Sequence, residues 1–175
     1  MGDSLSIIFA VIVALVIMFI VPLVDTWELQ DNLSYVVTYA AVTDFVDTVR
    51  NTGYLSLDNY QSFVSTLSST GNRFAVSMEH RAFNSAISAD MIKNNNKYMS
   101  AYLNTYTNTI LDTIINGDAE GNHIYKLDKG DYFYVTVKNT NITQASIVNS
   151  LVAKDNSNFK IGCAYGGLVW SQRDE

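Results

Sequence analysis

Few side chains in this sequence could carry out catalysis. The chain has two histidines, His80 and His123, and one cysteine, Cys163. A thiol activated by a neighbouring histidine can act as a nucleophile. No local motif joins these three residues, however, and a single small thiol in a strand usually packs in a core. We therefore predict that the protein is not an enzyme and that it uses no cofactor.

A short acidic segment has the outline of a calcium-binding loop. Asp118, Glu120 and Asn122 alternate in a glycine-containing segment. The pattern fails further along, because the sixth position is His123 instead of glycine and the twelfth is Lys129 instead of glutamate. The sequence therefore predicts a solvated turn over residues 117–122, without a bound metal ion.

Three tyrosines are candidates for contact with a partner. Tyr98, Tyr102 and Tyr106 follow one another at intervals of four, which places them on one side of a predicted helix. Exposed tyrosines often anchor a protein–protein contact. The simpler interpretation is that they flank the apolar stripe of the same helix.

The most informative segment runs from Leu5 to Val24. It has twenty residues and no charge, and fifteen of the twenty are Leu, Ile, Val or Phe. This length matches the ~20 residues that a helix needs to cross the hydrocarbon core of a bilayer. A cleaved signal peptide has a basic start and a shorter apolar stretch. We therefore predict a retained, single-pass transmembrane segment over residues 1–24, with the rest of the chain outside the cytoplasm.

The five residues of this segment that are not Leu, Ile, Val or Phe have a regular spacing. They lie four residues apart, and they are Ser6, Ala10, Ala14, Met18 and Pro22. Each step of four advances about 40° around a helix, so these residues form a slowly winding stripe. Small residues on such a stripe let helices pack closely. We predict a helix-packing seam of Ser6, Ala10, Ala14 and Met18. The alternative is a lone anchor in lipid whose spacing is accidental.

Pro22 and the charges that follow it describe the exit from the membrane. Proline removes one backbone hydrogen bond, so we predict a kink in the helix at Pro22.

The net charge is −6, and all six charged residues in 1–49 are acidic, whereas the remainder of the chain is neutral. A neutral head argues against nucleic acid as a partner. Acidic residues beside the membrane also disfavour binding to anionic headgroups.

Apolar residues recur at intervals of three and four from Leu29 to Val49, with no glycine or proline among them. This predicts an amphipathic continuation of the same helix over residues 25–53, with Gly53 at its C-terminal cap.

A head over residues 54–175 must then cover part of the apolar surface of this helix. In the first part of that head we predict a helix capped by Ser56 and ended by Gly71, a strand over 73–80, a loop over 82–97 and a helix over Tyr98–Ile115. These are followed by a hairpin of strands 125–127 and 132–138 joined by Asp128–Asp131, a helix over 143–152, and a strand pair or bent strand over 159–170 with a turn or bulge at Gly166–Gly167. The predicted fold is α+β, with a mainly antiparallel sheet and helices on one face.

Three passages carry a resemblance to a known family. They are residues 4–56, residues 125–141 (YKLDKGDYFYVTVKNTN) and residues 164–170 (AYGGLVW). The chain resembles type IV pilin-like proteins, and most narrowly the pilin-like subunits of tight-adherence (Tad, Flp-type) pilus loci of Gram-positive bacteria. The position of Pro22 and the acidic continuation behind it fit that family.

The resemblance implies a structural subunit, major or minor, of a Tad/Flp or type IV-like pilus or secretion filament. It would assemble through its N-terminal helix, and its partners would be the bilayer, copies of itself or similar subunits, and the secretion machinery. It would be located in the cell membrane or in a cell-surface filament. The alternative is a single-pass anchored domain that binds a ligand or partner outside the cytoplasm and does not polymerise.

The chain departs from the family at its start. Type IV prepilins have a leader that ends in glycine and a glutamate five residues into the mature helix, whereas the residue five beyond Gly2 is Ile7. The early acid in this chain is Asp3. If Asp3 takes the place of the glutamate, the resemblance implies that it pairs with the N-terminal amine of a neighbouring subunit, because a charge in a helix bundle needs a partner.

Overall fold

The long N-terminal helix is the largest element of the fold. A computed structural model of the protein describes residues 2–83, 102–118, 120–153 and 161–170. Helix α1 spans Gly2–Thr52, or 51 residues, and contains Pro22. Its N-terminal part is long and apolar enough to cross a membrane, and the head buries none of its most apolar stretch. The prediction that the apolar segment continues into the amphipathic segment as one helix is confirmed.

The rest of the described chain alternates between short strands and helices. The elements are β1 (Tyr54–Ser56), α2 (Leu57–Ser68), β2 (Phe74–Phe83), β3 (Tyr102–Tyr106), α3 (Thr107–Asn116), β4 (Ile124–Lys126), β5 (Tyr132–Asn139), α4 (Gln144–Ala153) and β6 (Gly162–Leu168). Strands β3, β2, β5 and β6 form a sheet in that order, and every neighbouring pair is antiparallel. The predicted α+β class with an antiparallel sheet is confirmed.

The predicted hairpin across Asp128–Asp131 is wrong. Strand β4 pairs with β1, with Leu55 opposite Tyr125, and these two strands form a separate ribbon. Strand β5 lies between β2 and β6. The turn residues do reverse the chain. The backbone of Leu127, just before the turn, is however paired with a residue outside the predicted hairpin, since its N–H donates to the carbonyl of Gly53 at 2.9 Å.

The predicted helix over Tyr98–Ile115 is wrong in its first part. Residues Tyr102–Tyr106 form β3, and the helix begins only at Thr107. The segment contains two tyrosines and a threonine, which favour strands. Its backbone pairs with Glu79–Phe83 at the end of β2, which has a free edge on this side. Tyr102 lies opposite Phe83, so the last two residues of β2, predicted as loop, are also strand. The rest of that predicted loop, and Tyr98, lie outside the described residues.

The core lies between the C-terminal half of α1 and one face of the four-stranded sheet. Phe45 of α1 stacks on Phe63 of α2, with ring centroids 4.3 Å apart, and meets Phe133 of β5 edge-on. Burial of each such side chain contributes about 1.5–3 kcal/mol. The principal buried apolar residues are Val42, Phe45, Val46, Val49, Leu55, Phe63, Leu67, Met78, Ile110, Ile114, Phe133, Val135 and Val137.

The ends of the helices follow local signals. Gly53 directly follows α1 with a φ of +72°, a left-handed conformation that glycine adopts without strain. Ser56 caps α2, since its side-chain oxygen accepts the backbone N–H of Asn59 at 3.3 Å. Helix α2 ends at Ser68, three residues before Gly71. These caps, and the helix predicted over 143–152, are confirmed.

The predicted turn or bulge at Gly166–Gly167 is wrong. Both glycines lie inside the continuous strand β6, in regular register with β5. A Cβ added at Gly166 would lie 2.6 Å from Cδ2 of Tyr134, and one added at Gly167 would lie 2.6 Å from Cζ of Arg50. The two glycines are therefore required because large side chains approach the strand on both of its faces.

Candidate functional site

The part of α1 between the apolar segment and the core presents polar residues to the head. Asp31, Ser34 and Thr38 are buried there. Asp31 accepts a hydrogen bond from the hydroxyl of Thr143, at 2.5 Å. Ser34 accepts one from the side-chain amide of Asn72, at 3.1 Å. The head thus covers the polar face of this segment and covers apolar residues of α1 only further along, in the core.

The opposite face of the same segment is apolar and uncovered. Leu29, Leu33, Val36 and Ala40, which we call the outer stripe, are exposed, and the first three retain 60%, 58% and 60% of their accessible surface. At 100° per residue they fall within about 60° of one another, on the side away from the head. A helix in water normally hides its apolar face and exposes its polar face. Here the arrangement is inverted.

The outer stripe continues the direction of the predicted seam. Met18, Leu29, Pro22 and Ala40 fall within about 40° of one another around α1, and the stripe winds on from Met18 through Ala14, Ala10 and Ser6, at about 40°, 80° and 120° from it. Ser6, Ala10, Ala14, Met18 and Pro22 are all exposed on the single helix. One uncovered surface therefore runs from the apolar segment to the base of the head.

Two further predictions concern residues of this surface. The hydroxyl of Thr26 donates to the carbonyl of Pro22 at 2.8 Å, one turn away. The kink at Pro22 stays a prediction. Asp3 belongs to α1, but its side chain lies outside the described part of the structure, so its pairing also stays a prediction.

His80 is at the centre of a buried polar cluster. Its Nε2 lies 2.8 Å from Oδ2 of Asp131, and its Nδ1 lies 2.7 Å from the hydroxyl of Tyr125. A carboxylate only accepts hydrogen bonds, so Nε2 of His80 carries a proton and donates it to Asp131. Burial raises the pKa of Tyr125, and the charge of Asp131 adds to this effect.

Asp131 holds several parts of the head together. Besides His80, its carboxylate accepts the backbone N–H groups of Phe83, at 3.1 Å, and of Asp128, at 2.9 Å. These bonds join two positions of β2, His80 and Phe83, to the turn before β5. The order acid, imidazole, hydroxyl resembles that of a nucleophilic triad, but His80 and Asp131 are both buried, which suits a structural link. No local sequence pattern indicates this cluster, because the partners of His80 lie 45 and 51 residues away from it along the chain.

The three residues considered for thiol chemistry lie apart. Cys163 pairs with Val137 across β5 and β6, whereas His80 lies opposite Phe133, four residues along β5 or about 13 Å away. The half-buried Cys163 packs against the core, and burial raises the pKa of its thiol. His123 is exposed in the turn before β4.

The acidic turn is organised by its own hydrogen bonds. Oδ1 of Asp118 accepts the backbone N–H groups of Asn122 and Glu120, at 2.8 and 2.9 Å. The bond from Asn122 is the main reason why the pKa of Asp118 is lowered. The carboxylate thus closes a turn, and among the described residues no group of three His, Cys, Asp or Glu side chains is placed to hold a metal ion.

Tyrosines line a shallow cavity on the outer face of the sheet. The structure places Tyr102 on a strand instead of the predicted helix. This residue lines a cavity of about 420 Å³ together with Arg81, Tyr132, Tyr134 and Leu168. The guanidinium Nε of Arg81 pairs with Glu79 at 2.9 Å. The cavity therefore offers aromatic walls and a neutralised charge, which is a contact surface without catalytic groups.

No protein family, curated protein or solved structure matches this chain. A proposal for its function must therefore come from α1 and from the surfaces of the head.

Proposed function

We propose that the protein is a non-enzymatic, pilin-like structural subunit, major or minor, of a Tad/Flp or type IV-like filament or secretion assembly. Helix α1 anchors it in a membrane and joins it laterally to the helices of other copies or of similar subunits. The observation that carries the proposal is the outer stripe, an apolar face that the head leaves uncovered beyond the apolar segment.

The position of the outer stripe separates assembly from simple anchoring. It begins five residues after Val24 and ends at Ala40, so it reaches about 24 Å beyond the apolar segment. That distance exceeds the roughly 5–7 Å of headgroup layer on each side of a bilayer. Lipid therefore does not cover its far end, and a lone anchor gains nothing from it.

A bundle of parallel α1 helices would cover this surface. Burial of a Leu or Val side chain contributes about 1.5–3 kcal/mol, and the outer stripe of each copy holds three such residues. In the apolar segment the small residues of the seam allow close approach. On assembly, α1 leaves lipid for a bundle of similar helices, so its apolar faces stay covered, and the heads form the outer surface.

The proposal is tested by making the outer stripe polar. The double variant Leu33→Asn, Val36→Asn leaves the apolar segment unchanged and replaces only exposed side chains. The matched control, Tyr35→Asn with Tyr39→Asn, changes two exposed residues that stack on each other beside the stripe. Two differently tagged copies of the full chain are expressed together, extracted in mild detergent and captured through one tag.

We expect the stripe variant to reduce recovery of the second tag at least about tenfold, which corresponds to 1.4 kcal/mol, and the control to reduce it far less. Equal recovery from the stripe variant and the unmodified chain would refute assembly through this surface.

One observation favours the alternative of an anchored binding domain that does not polymerise. The tyrosine-lined cavity is an open contact surface on the face of the sheet away from α1. This alternative predicts that the unmodified chain is monomeric in the same experiment, and that both double variants behave as it does.

A further inference from the structure

A second surface of the head lies where α1 leaves the apolar segment. Helix α4 packs beside α1 at this level. The hydroxyl of Thr143, just before α4, bonds to Asp31, and the side-chain amide of Asn149 donates to Oε1 of Glu28 at 3.3 Å. Asp31 lies about 10 Å along α1 from Val24, and Glu28 only about 6 Å. Helix α4 therefore descends obliquely toward the apolar segment.

This geometry fixes the depth of α4 relative to a bilayer. The hydrocarbon core is about 30 Å thick, and the headgroup regions bring the total to about 40–45 Å, so each headgroup layer is roughly 5–7 Å deep. When the segment ending at Val24 spans the core, Glu28 and Asn149 lie within the headgroup layer. The later turns of α4 begin from that level.

Side chains at this level and just above it suit a bilayer interface. Ile142 and Ile147 retain 64% and 44% of their accessible surface. Trp27, three residues beyond the apolar segment, borders the same small cavity as Ile142. Tryptophan is enriched at the headgroup level of membranes, and an apolar helix face there enters the boundary between headgroups and acyl chains. We call Trp27, Ile142 and Ile147 the membrane-proximal patch.

The acidic residues beside the membrane-proximal patch indicate which headgroup charge it accepts. Asp25 and Glu28 are exposed on α1 at the same level. Acidic groups there repel anionic headgroups, so the patch fits a zwitterionic surface that it enters through its apolar side chains.

We propose that the later turns of α4, from Ile147 onward, lie in the headgroup layer of the leaflet from which the head emerges, with Ile142 at its outer boundary, so that the bilayer fixes the orientation of the head. This inference rests on the membrane anchoring in the proposed function and is independent of assembly. It gives the head a second attachment beside α1.

The test measures the depth of single labels in the full chain. In a Cys163→Ala background, Ile147→Cys is labelled with an environment-sensitive fluorophore and placed in phosphatidylcholine vesicles. The matched control is Ile115→Cys, also an exposed isoleucine on a helix, but on α3, which packs against β2, β3 and β4. Ile12→Cys, inside the apolar segment, reports insertion of α1.

We expect aqueous iodide to quench the label at 147 about threefold less than the label at 115, and headgroup-attached nitroxide lipid to quench it more. The same measurement at Ile142→Cys, outside the helix, applies if a label at 147 disturbs α4. Equal iodide access at 147, 142 and 115 with a protected label at 12 would overturn the inference while leaving the anchor intact.

Exposure at all four positions would instead show that α1 is not inserted, which contradicts the proposed function as well as this inference. The ratio of protein to lipid separates lipid from protein as the cover. Protection at 147 that persists on dilution with lipid supports the inference, and protection that disappears on dilution means that a second copy covers the patch and overturns it.

Discussion

The guanidinium of Arg50 occupies the space in which Gly167 would carry a side chain. A Cβ at Gly167 would lie 2.6 Å from Cζ of Arg50. From this position Nε of Arg50 donates to the carbonyl of Leu168 at 2.8 Å, and Nη1 pairs with Asp47 at 2.7 Å. The guanidinium also lies 5.8 Å from the ring centroid of Trp170. The last turn of the long helix is thus fixed to the edge strand of the head.

This relationship predicts that Gly167→Ala is destabilising. The added methyl group displaces Arg50, and we expect the free energy of unfolding to fall by about 1–3 kcal/mol. The measurement is chemical denaturation of the full chain in detergent micelles, followed by tryptophan fluorescence, to which Trp170 beside Arg50 contributes. In an Arg50→Ala background the same glycine substitution should cost much less, because the obstructing group is gone. Costs that simply add in the double variant would contradict the explanation.

The fold could be predicted from sequence wherever a local signal decides the structure. Helical periodicity gave α1 and α4, and capping residues gave the boundaries at Gly53 and Ser56. The failures share a cause, because each depends on a partner far along the chain. Strand β4 pairs with β1 instead of β5, and the glycines of β6 are explained by Arg50 and by Tyr134. A single sequence does not specify such partners.

The candidate surface was predictable only in part. Periodicity placed Leu29, Leu33 and Val36 on one face of a helix, but it could not show which face the head covers. The polar face is covered because Asp31 and Ser34 find hydrogen-bond partners in Thr143 and Asn72. These partners lie 112 and 38 residues away along the chain.

The buried cluster predicts a large effect of one carboxylate. Asp131→Ala leaves the donors of His80, Phe83 and Asp128 without an acceptor, so we expect a loss on the order of 3 kcal/mol in the free energy of unfolding. Tyr125→Phe removes the hydroxyl that bonds to His80 and to Thr105 and should cost about 0.5–1.5 kcal/mol for each bond. Asp128→Ala, an exposed change in the same turn, is the control and should change stability by less than about 0.5 kcal/mol. A loss for Asp131→Ala no larger than that of the control would show that the cluster is not a structural link.

The acidic turn predicts a pH dependence with a definite sign. The backbone hydrogen bond from Asn122 lowers the pKa of Asp118 below its ordinary value of 3.8. The contribution of Asp118 to stability is therefore complete above that ordinary value and is lost as the pH falls through the lower, folded-state pKa. The carboxyl resonance of Asp118, followed by NMR between neutral and strongly acidic pH, should titrate below that of an unfolded control peptide. An unshifted midpoint would mean that the turn does not hold the carboxylate.

The seam in the apolar segment predicts a defect in assembly without a defect in insertion. In Ala10→Leu, Ala14→Leu the segment stays fully apolar, so it still enters the membrane. The added bulk keeps neighbouring helices apart along the stripe that continues toward Leu29 and Leu33, and close packing between such helices depends on small residues. We expect co-capture of two tagged copies to fall about tenfold, as for the polar change in the outer stripe.

The control for this experiment adds bulk to a different side of the same apolar segment. Val16→Phe with Ile20→Phe places larger side chains about 120° around the helix from Ala10 and Ala14, respectively. Membrane fractionation should find both double variants in the bilayer in equal amounts. If bulk reduces co-capture equally on the two sides, the four-residue spacing has no role in packing. If it has no effect on either side, the copies associate through the head or through the outer stripe alone, because the close approach that the seam allows is then not needed.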